Sequence, residues 1–274
     1  MWKKILKWTL LSLLALFVLF AAFVAWNVRF LWQKPRFDTE MVADPGDLGA
    51  KAILVFSKTN GYRHASIETA LPVIRQMAED RGWAIVQTEN AGVFNDAYLA
   101  RFDVLVFVST TGELFTPEQK EAFKRYMENG GGWVGMHAAS DTEHPWDWYE
   151  TLVGAEFKHH TLFPQLPEGE LVVEDREHPT TFFLPERWRR ADEWYSFTSN
   201  PRNRPGVHVL YSLDESVTDM GSPGGMGDHP IAWTNEVGQG RVFYTAIGHT
   251  EETFTDPMCL QHLAAGITWA GRLE

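Results

Sequence analysis

The sequence predicts an α/β fold: a parallel sheet flanked by helices on both faces, preceded by one transmembrane helix. Three observations carry this expectation. Between residues 52 and 136, short apolar runs alternate with capped helical segments, the pattern of parallel strands joined by crossover helices. From Trp8 to Val28 the chain runs 21 residues without a charge. The 274 residues are 45% apolar, 14% aromatic and 22% charged, which excludes a disordered, collagen-like or coiled-coil chain.

The elements follow in order. Residues 1–32 read as a membrane anchor, with the uncharged run spanning the hydrocarbon core at about 1.5 Å per residue. Trp8, Trp26 and Trp32 fall near its ends, where an aromatic belt lies. A cleaved signal peptide is the competing reading. The run is too long for a signal's apolar region, and no small-x-small cleavage site follows it. Lys3, Lys4, Lys7 and the amino terminus outweigh Arg29, Lys34 and Arg36 as the positive-inside end. In a bacterial cell that makes this a single-pass membrane protein whose soluble part is periplasmic or otherwise extracytoplasmic, with the lipid bilayer as partner of residues 8–28.

Residues 33–50 (QKPRFDTEMVADPGDLGA) are polar with Pro and Gly and read as a linker. Residues 51–274 form the soluble domain. Ala52–Ser57 reads as a buried strand. A helix follows within Ser66–Arg81, which Pro72 must kink unless it sits in the first turn. Ala84–Thr88 and Val104–Ser109 are the next strands. Thr116-Pro117-Glu118-Gln119 is a capping box with Pro at the first helical position, opening a helix to Asn129 that Gly130 ends. Trp133–Met136 is a fourth strand. The second half is less regular. Leu171–Glu174, Val207–Leu210 and Ile231–Trp233 read as strands between long loops such as Gly221–Gly227, and Arg241–Ile247 is a clearer one. Asp256-Pro257 caps a last helix to about Ala270.

Charge and cysteine content remove some functions. Six of the 24 basic residues lie in the first 36 positions, leaving 18 against all 36 acidic ones. A domain near −18 repels a phosphate backbone, so no nucleic acid is expected as ligand. One cysteine, Cys259, forbids an internal disulfide and a multi-cysteine metal site; its place inside the last helix reads as core.

Ligands of open α/β sheets bind outside the carboxyl ends of the strands. His64, His137 and His249 each fall just after an expected strand, so three different loops bring them to one edge. A loop histidine is ordinarily solvated or pins a turn, but three at one edge by accident is less expected. His159-His160 and Asp192-Glu193, the latter flanked by Trp194 and Tyr195, form a second group. His137 follows GGGWVGM at a sharp strand-to-helix turn, where a nucleophile elbow presents Ser or Cys. Histidine there disfavours acyl-enzyme chemistry, because the nucleophile is missing.

These residues resemble a known family. Asn60-Gly61-Tyr62-Arg63-His64, the run GGGWVGMHAA, Gly154-x-x-Phe157-x-x-His160, Asp192-Glu193-x-Tyr195 and Gly240-Arg241-Val242-Phe243-Tyr244-x-x-x-Gly248-His249 are together similar to the ThuA-like (trehalose utilisation) family. The likeness spans roughly residues 50–272. It implies a fold like the class I glutamine amidotransferases (flavodoxin-like), with His137 at their cysteine elbow and His249 near their catalytic histidine. It also implies work on trehalose or related disaccharides through 3-keto sugars, by a lyase-, hydrolase- or isomerase-type enzyme without glutaminase activity. A small neutral carbohydrate needs aromatic faces rather than a basic clamp, and a carbon acid beside a ketone needs a positioned general base.

On this reading His137 and His64 contact the substrate, with Glu193, His160 and His249 as partners. Tyr62, Arg63, Asp141, Trp146, Trp194 and Tyr195 bind the sugar. His159-His160 doubles a position where the family often has His-Pro, and spacing favours His160 as the one that enters. His64, His137, His160 and His249 with Glu193 offer the donors of a catalytic divalent-metal site. No HxH or HExxH spacing supports one, so the choice between metal and acid–base chemistry stays open. The alternative is a non-catalytic carbohydrate-binding module tethered to the membrane. In that case Trp146, Trp148 and Trp194 carry the binding.

Overall fold

Five-residue strands that are apolar on both faces need cover on both faces, and this dictates the first half of the domain. The computed structural model describes residues 2–28 and 34–274. They fall into two compact units, Met1–Pro35 and Arg36–Glu274. In the first, α1 (Trp2–Asn27) is one helix. Its stretch Trp2–Trp26 is long and apolar enough to cross a membrane. Trp8 and Trp26 belong to it; Arg29, Trp32 and Gln33 lie outside the described residues.

In the second unit β1 (Ala52–Phe56), α2 (Ser66–Asp80), β2 (Ala84–Thr88), the short α3 (Asp96–Leu99), β3 (Val104–Val108), α4 (Pro117–Glu128) and β4 (Gly132–Met136) follow in turn. The strands pair in parallel in the order β2-β1-β3-β4. Each start signal works as its residues dictate. Thr116 accepts from the Gln119 N–H while the Gln119 side chain accepts from Thr116 N, closing the capping box. Pro72 is inside α2, on its exposed side, neither in the first turn nor ending the helix. Its missing donor costs one bond at a solvated carbonyl, and the buried face of Ile67, Ala70, Ile74 and Met77 carries the helix past it.

The sheet is not parallel throughout, which corrects the expectation from sequence. After α5 (Asp147–Val153), β5 (Phe157–His160), β6 (Glu168–Val173), β7 (Arg187–Ala191), β8 (Tyr195–Phe197) and β9 (His208–Leu213), the chain forms β10 (Pro230–Val237) and β11 (Gly240–Thr245). β11 is parallel to β4, and beyond it β10, β9, β6 and β7 join antiparallel. The result is a nine-stranded mixed sheet, β2-β1-β3-β4-β11-β10-β9-β6-β7. The cause is the connections. Gly238-Gln239 turns β10 straight into β11, and a two-residue hairpin can only join antiparallel strands.

β7 escaped detection because its sequence is RWRRA. Arg187 and Arg189 there pair with Glu170 on the neighbouring strand, and charge along an edge strand blocks further pairing. β5 and β8 form a separate two-stranded ribbon.

Residues 36–50 are not a free linker. Asp38 accepts from Ala91 N at 2.8 Å and pairs with Lys58, and its carbonyl accepts from Gln119 Nε2 at 2.6 Å. Val42 and Leu48 pack against the core. The polar composition was real, but each of these polar groups finds a partner on the domain. The last helix, α6 (Pro257–Gly271), starts where Asp256 accepts from Met258 N and Cys259 N. It lies close to the sheet because Gly266 faces Phe243: a Cβ there would stand 2.4 Å from the ring. Cys259 is buried, as its position suggested, and burial pushes its thiol up to about 12.

Candidate functional site

The parallel strands β1, β4 and β11 deliver one histidine each at their carboxyl ends, as the topology requires. His137 is the first residue after β4 and holds φ at +46°, the left-handed region that the sharp turn imposes. Gly248, after β11, has φ +145°, and a Cβ there would come within 3.1 Å of His137 Cβ. Glycine lets the two loops touch. Ser66, at the start of α2, donates to Gly248 O at 2.8 Å and ties the first loop to the last.

The turn between β7 and β8 brings the carboxylate. Glu193 is buried, and its Oε2 lies 2.9 Å from His249 Nδ1, 3.5 Å from His137 Nε2 and 3.9 Å from His64 Nε2. One ligand atom from each of these four residues falls within 4.8 Å of the others, so this set is the one that could hold a metal. The other oxygen, Oε1, accepts from Gln165 Nε2 at 2.9 Å and stands 3.2 Å from His160 Nδ1. Consecutive strand residues point to opposite faces, so His160 reaches Glu193 while His159 looks away.

Burial opposes the charge on Glu193, but the imidazoles of His137, His249 and His64 gathered around it outweigh burial and hold the carboxyl well below its usual range. Burial lowers His64 to about 4. For His249 burial also acts downward, yet Glu193 prevails and raises it.

Asp192, fully buried, positions these groups. Its carboxylate accepts from Gly248 N at 3.2 Å and His249 N at 3.1 Å and pairs with Arg190 at 3.3 Å. Sequence placed it beside Glu193 but did not show this role. Gln165 was missed as well, since nothing in the Pro-bracketed loop Phe163–Pro167 marks it.

The expected sugar contacts divide. Tyr62 is exposed at the rim, edge-on to His64 at 4.8 Å. Tyr195 is buried against His137 at 4.1 Å, with its hydroxyl 3.4 Å from His64 Nε2. Three others point elsewhere. Arg63 bonds Glu68, Glu89 and Ser57 O, so its guanidinium is committed away from the histidines. Trp146 stacks on Trp148 at 4.7 Å and packs on Phe123 of α4. Trp194 is fully buried and donates to Pro167 O at 3.0 Å, which makes it core rather than a stacking face.

Asp141 bonds His144 at 2.7 Å, and Glu156 holds the other ring nitrogen at 2.5 Å. The hydrogen bond that His144 donates to Asp141, then the one it donates to Glu156, raises it to about 9 against some burial. Its folded value exceeds the unfolded one, so the clamp is complete below about 6.5 and is lost as pH rises through about 9. The ring is 35% exposed, and solvent screening leaves about 1 kcal/mol of pH-dependent stability. Thermal melts at pH 6.5 and 9.5 should show this loss in the wild type and not in His144→Asn; parallel curves would refute the clamp.

The chain matches the family described as trehalose utilisation over residues 52–270. A ThuA-like protein from Bacteroides uniformis is 27% identical, with TM-score 0.69 over 83% of this chain and 95% of that one. A second, from Parabacteroides merdae, is 21% identical, with TM-score 0.62 over 81% and 90%. A β-galactosidase from Rahnella shares fold alone, at 14% identity and TM-score 0.52 over 83% of this chain and 32% of its own. No curated protein sequence matches. With the family's span covering the whole sheet and all four converging side chains, the chain belongs to the ThuA (trehalose utilisation) family.

Proposed function

We propose that this protein is a membrane-anchored enzyme acting on a neutral carbohydrate, trehalose or a keto-glycoside derived from it, by histidine and carboxylate chemistry. One observation carries the reading: four segments distant in sequence, three loops after strands and the turn before β8, converge His64, His137, His249 and Glu193 on a single point. Polar groups buried at such cost are kept where chemistry needs them. His160, half-buried and beside Glu193, has the position of a proton carrier. The sugar's ketone faces the centre, and a base removes the proton from the adjacent carbon. Glutaminase chemistry is not part of the proposal, because the elbow carries His137 in place of a nucleophile. In this reading the helix through residues 8–28 anchors the domain, and the basic Lys3, Lys4 and Lys7 support an orientation with the domain outside the cytoplasm of a bacterial cell.

The rival reading, a sugar-binding module without catalysis, loses its platforms: Trp146, Trp148 and Trp194 are committed to packing. The test is proton exchange. The full chain in detergent, incubated with a 3-keto-disaccharide in D2O, should place deuterium beside the ketone or cleave the sugar, as seen by NMR. Binding with neither exchange nor cleavage would establish the rival.

A further inference from the structure

We infer that His64, His137, His249 and Glu193 form a binding site for one first-row divalent cation, zinc being the ion its donors suit best. This deepens the proposed function and uses its centre. The argument starts from hydrogen placement. His137 Nδ1 lies 2.8 Å from the carbonyl oxygen of Ala246, so Nδ1 carries the proton and donates. That leaves Nε2 with a bare lone pair in the neutral ring. This atom is fully buried, has no hydrogen-bond partner and faces Glu193 Oε2 at 3.5 Å. Two acceptors facing one another repel unless a cation lies between them.

A proton on each ring is one solution, but it gathers up to three positive charges around one carboxylate. Those rings are close: His64 and His137 have centroids 4.7 Å apart, and His137 and His249 5.4 Å. A single divalent ion satisfies all of them. His249 Nδ1 points the same way, buried and unpartnered although only 2.9 Å from Oε2. Three imidazole nitrogens and a carboxylate are the donors zinc and its neighbours take, at about 2.0–2.2 Å. A tetrahedron of that size has edges of about 3.4 Å, so the widest pair, at up to 4.8 Å, would close in by up to roughly 1.4 Å. Supporting contacts are in place. The Ala246 carbonyl sets the tautomer of His137, Gln165 holds Oε1, and Asp192 holds the His249 backbone. In this arrangement the four side chains are ligands, and His160 remains to carry protons.

The experiment uses the full chain in detergent, purified without a histidine tag or chelator. Mass spectrometry of its metals should find about one ion per chain. After stripping with EDTA, zinc, manganese or cobalt alone should raise the melting temperature and bind by calorimetry. Glu193→Gln and His249→Asn should weaken that binding by more than about 100-fold, while His160→Ala keeps it. Circular dichroism establishes that each variant is folded. A wild type that binds none of the three ions, or a folded Glu193→Gln that binds as wild type does, overturns the inference. Turnover by a stripped protein that binds none of the three ions would sink the metal site and leave the carbohydrate function standing. One ion per chain in a protein inert to every keto-sugar would do the reverse.

Discussion

His137→Asn is expected to fold normally and to lose about 10³-fold in turnover of a keto-glycoside. The substitution is chosen from the geometry. Asparagine tolerates the left-handed conformation that φ +46° demands, where a branched residue would not. Its amide nitrogen sits where Nδ1 does, so the bond to Ala246 O survives. What disappears is Nε2, the atom aimed at Glu193, together with half the ring packed on Tyr195 at 4.1 Å. A variant that melts with the wild type but is inactive isolates that one nitrogen as functional. Retained activity would remove His137 from the centre and undo the proposed function.

The second large effect is on stability. Asp192→Ala should cost about 3 kcal/mol in urea unfolding, and His249 should lose its fixed position. The carboxylate is fully buried and bridges the turn before β8 to the backbone of the loop after β11. Its removal strands the N–H groups of Gly248 and His249 and leaves the buried Arg190 guanidinium with Asp256 at 3.6 Å as its remaining ion-pair partner. Uncompensated buried donors account for the size of the loss. Because Arg190 also donates to Thr253 at 2.6 Å, the lower end of the range for breaking a buried pair applies. A midpoint shift worth less than about 1 kcal/mol would mean that water replaces the carboxylate, and that His249 is held by something else.

The three histidines could be singled out from sequence because strand periodicity and strand ends are local properties. Runs such as VLVFV and a capping box such as Thr116-Pro117-Glu118-Gln119 announce themselves within a few residues, and topology then sends every following loop to one edge. His64, His137 and His249 were legible for that reason alone. Glu193 and His160 stood out less sharply, as members of the pairs Asp192-Glu193 and His159-His160, because the segments that carry them have no periodic signature.

The sheet's far half was not legible in orientation. Whether a strand pairs parallel or antiparallel depends on its connection, and Gly238-Gln239 is a signal only once both flanking strands are recognised. Nor did sequence separate the tryptophans by role. Trp146 and Trp194 carry the composition of a sugar platform, but which face an indole turns to solvent is decided by what packs against it: Trp148 and Phe123 for one, Pro167 for the other. The amino-acid order by itself determined the long apolar helix near the N-terminus, the alternation through residue 136 and the histidines at the strand ends, because each follows from short-range pattern. The tertiary structure alone decided that Arg63 turns away, that Gln165 and Asp192 hold the centre, and that residues 36–50 lie on the domain. Those outcomes depend on partners far away in the chain, and burial selects among them only after the sheet has formed.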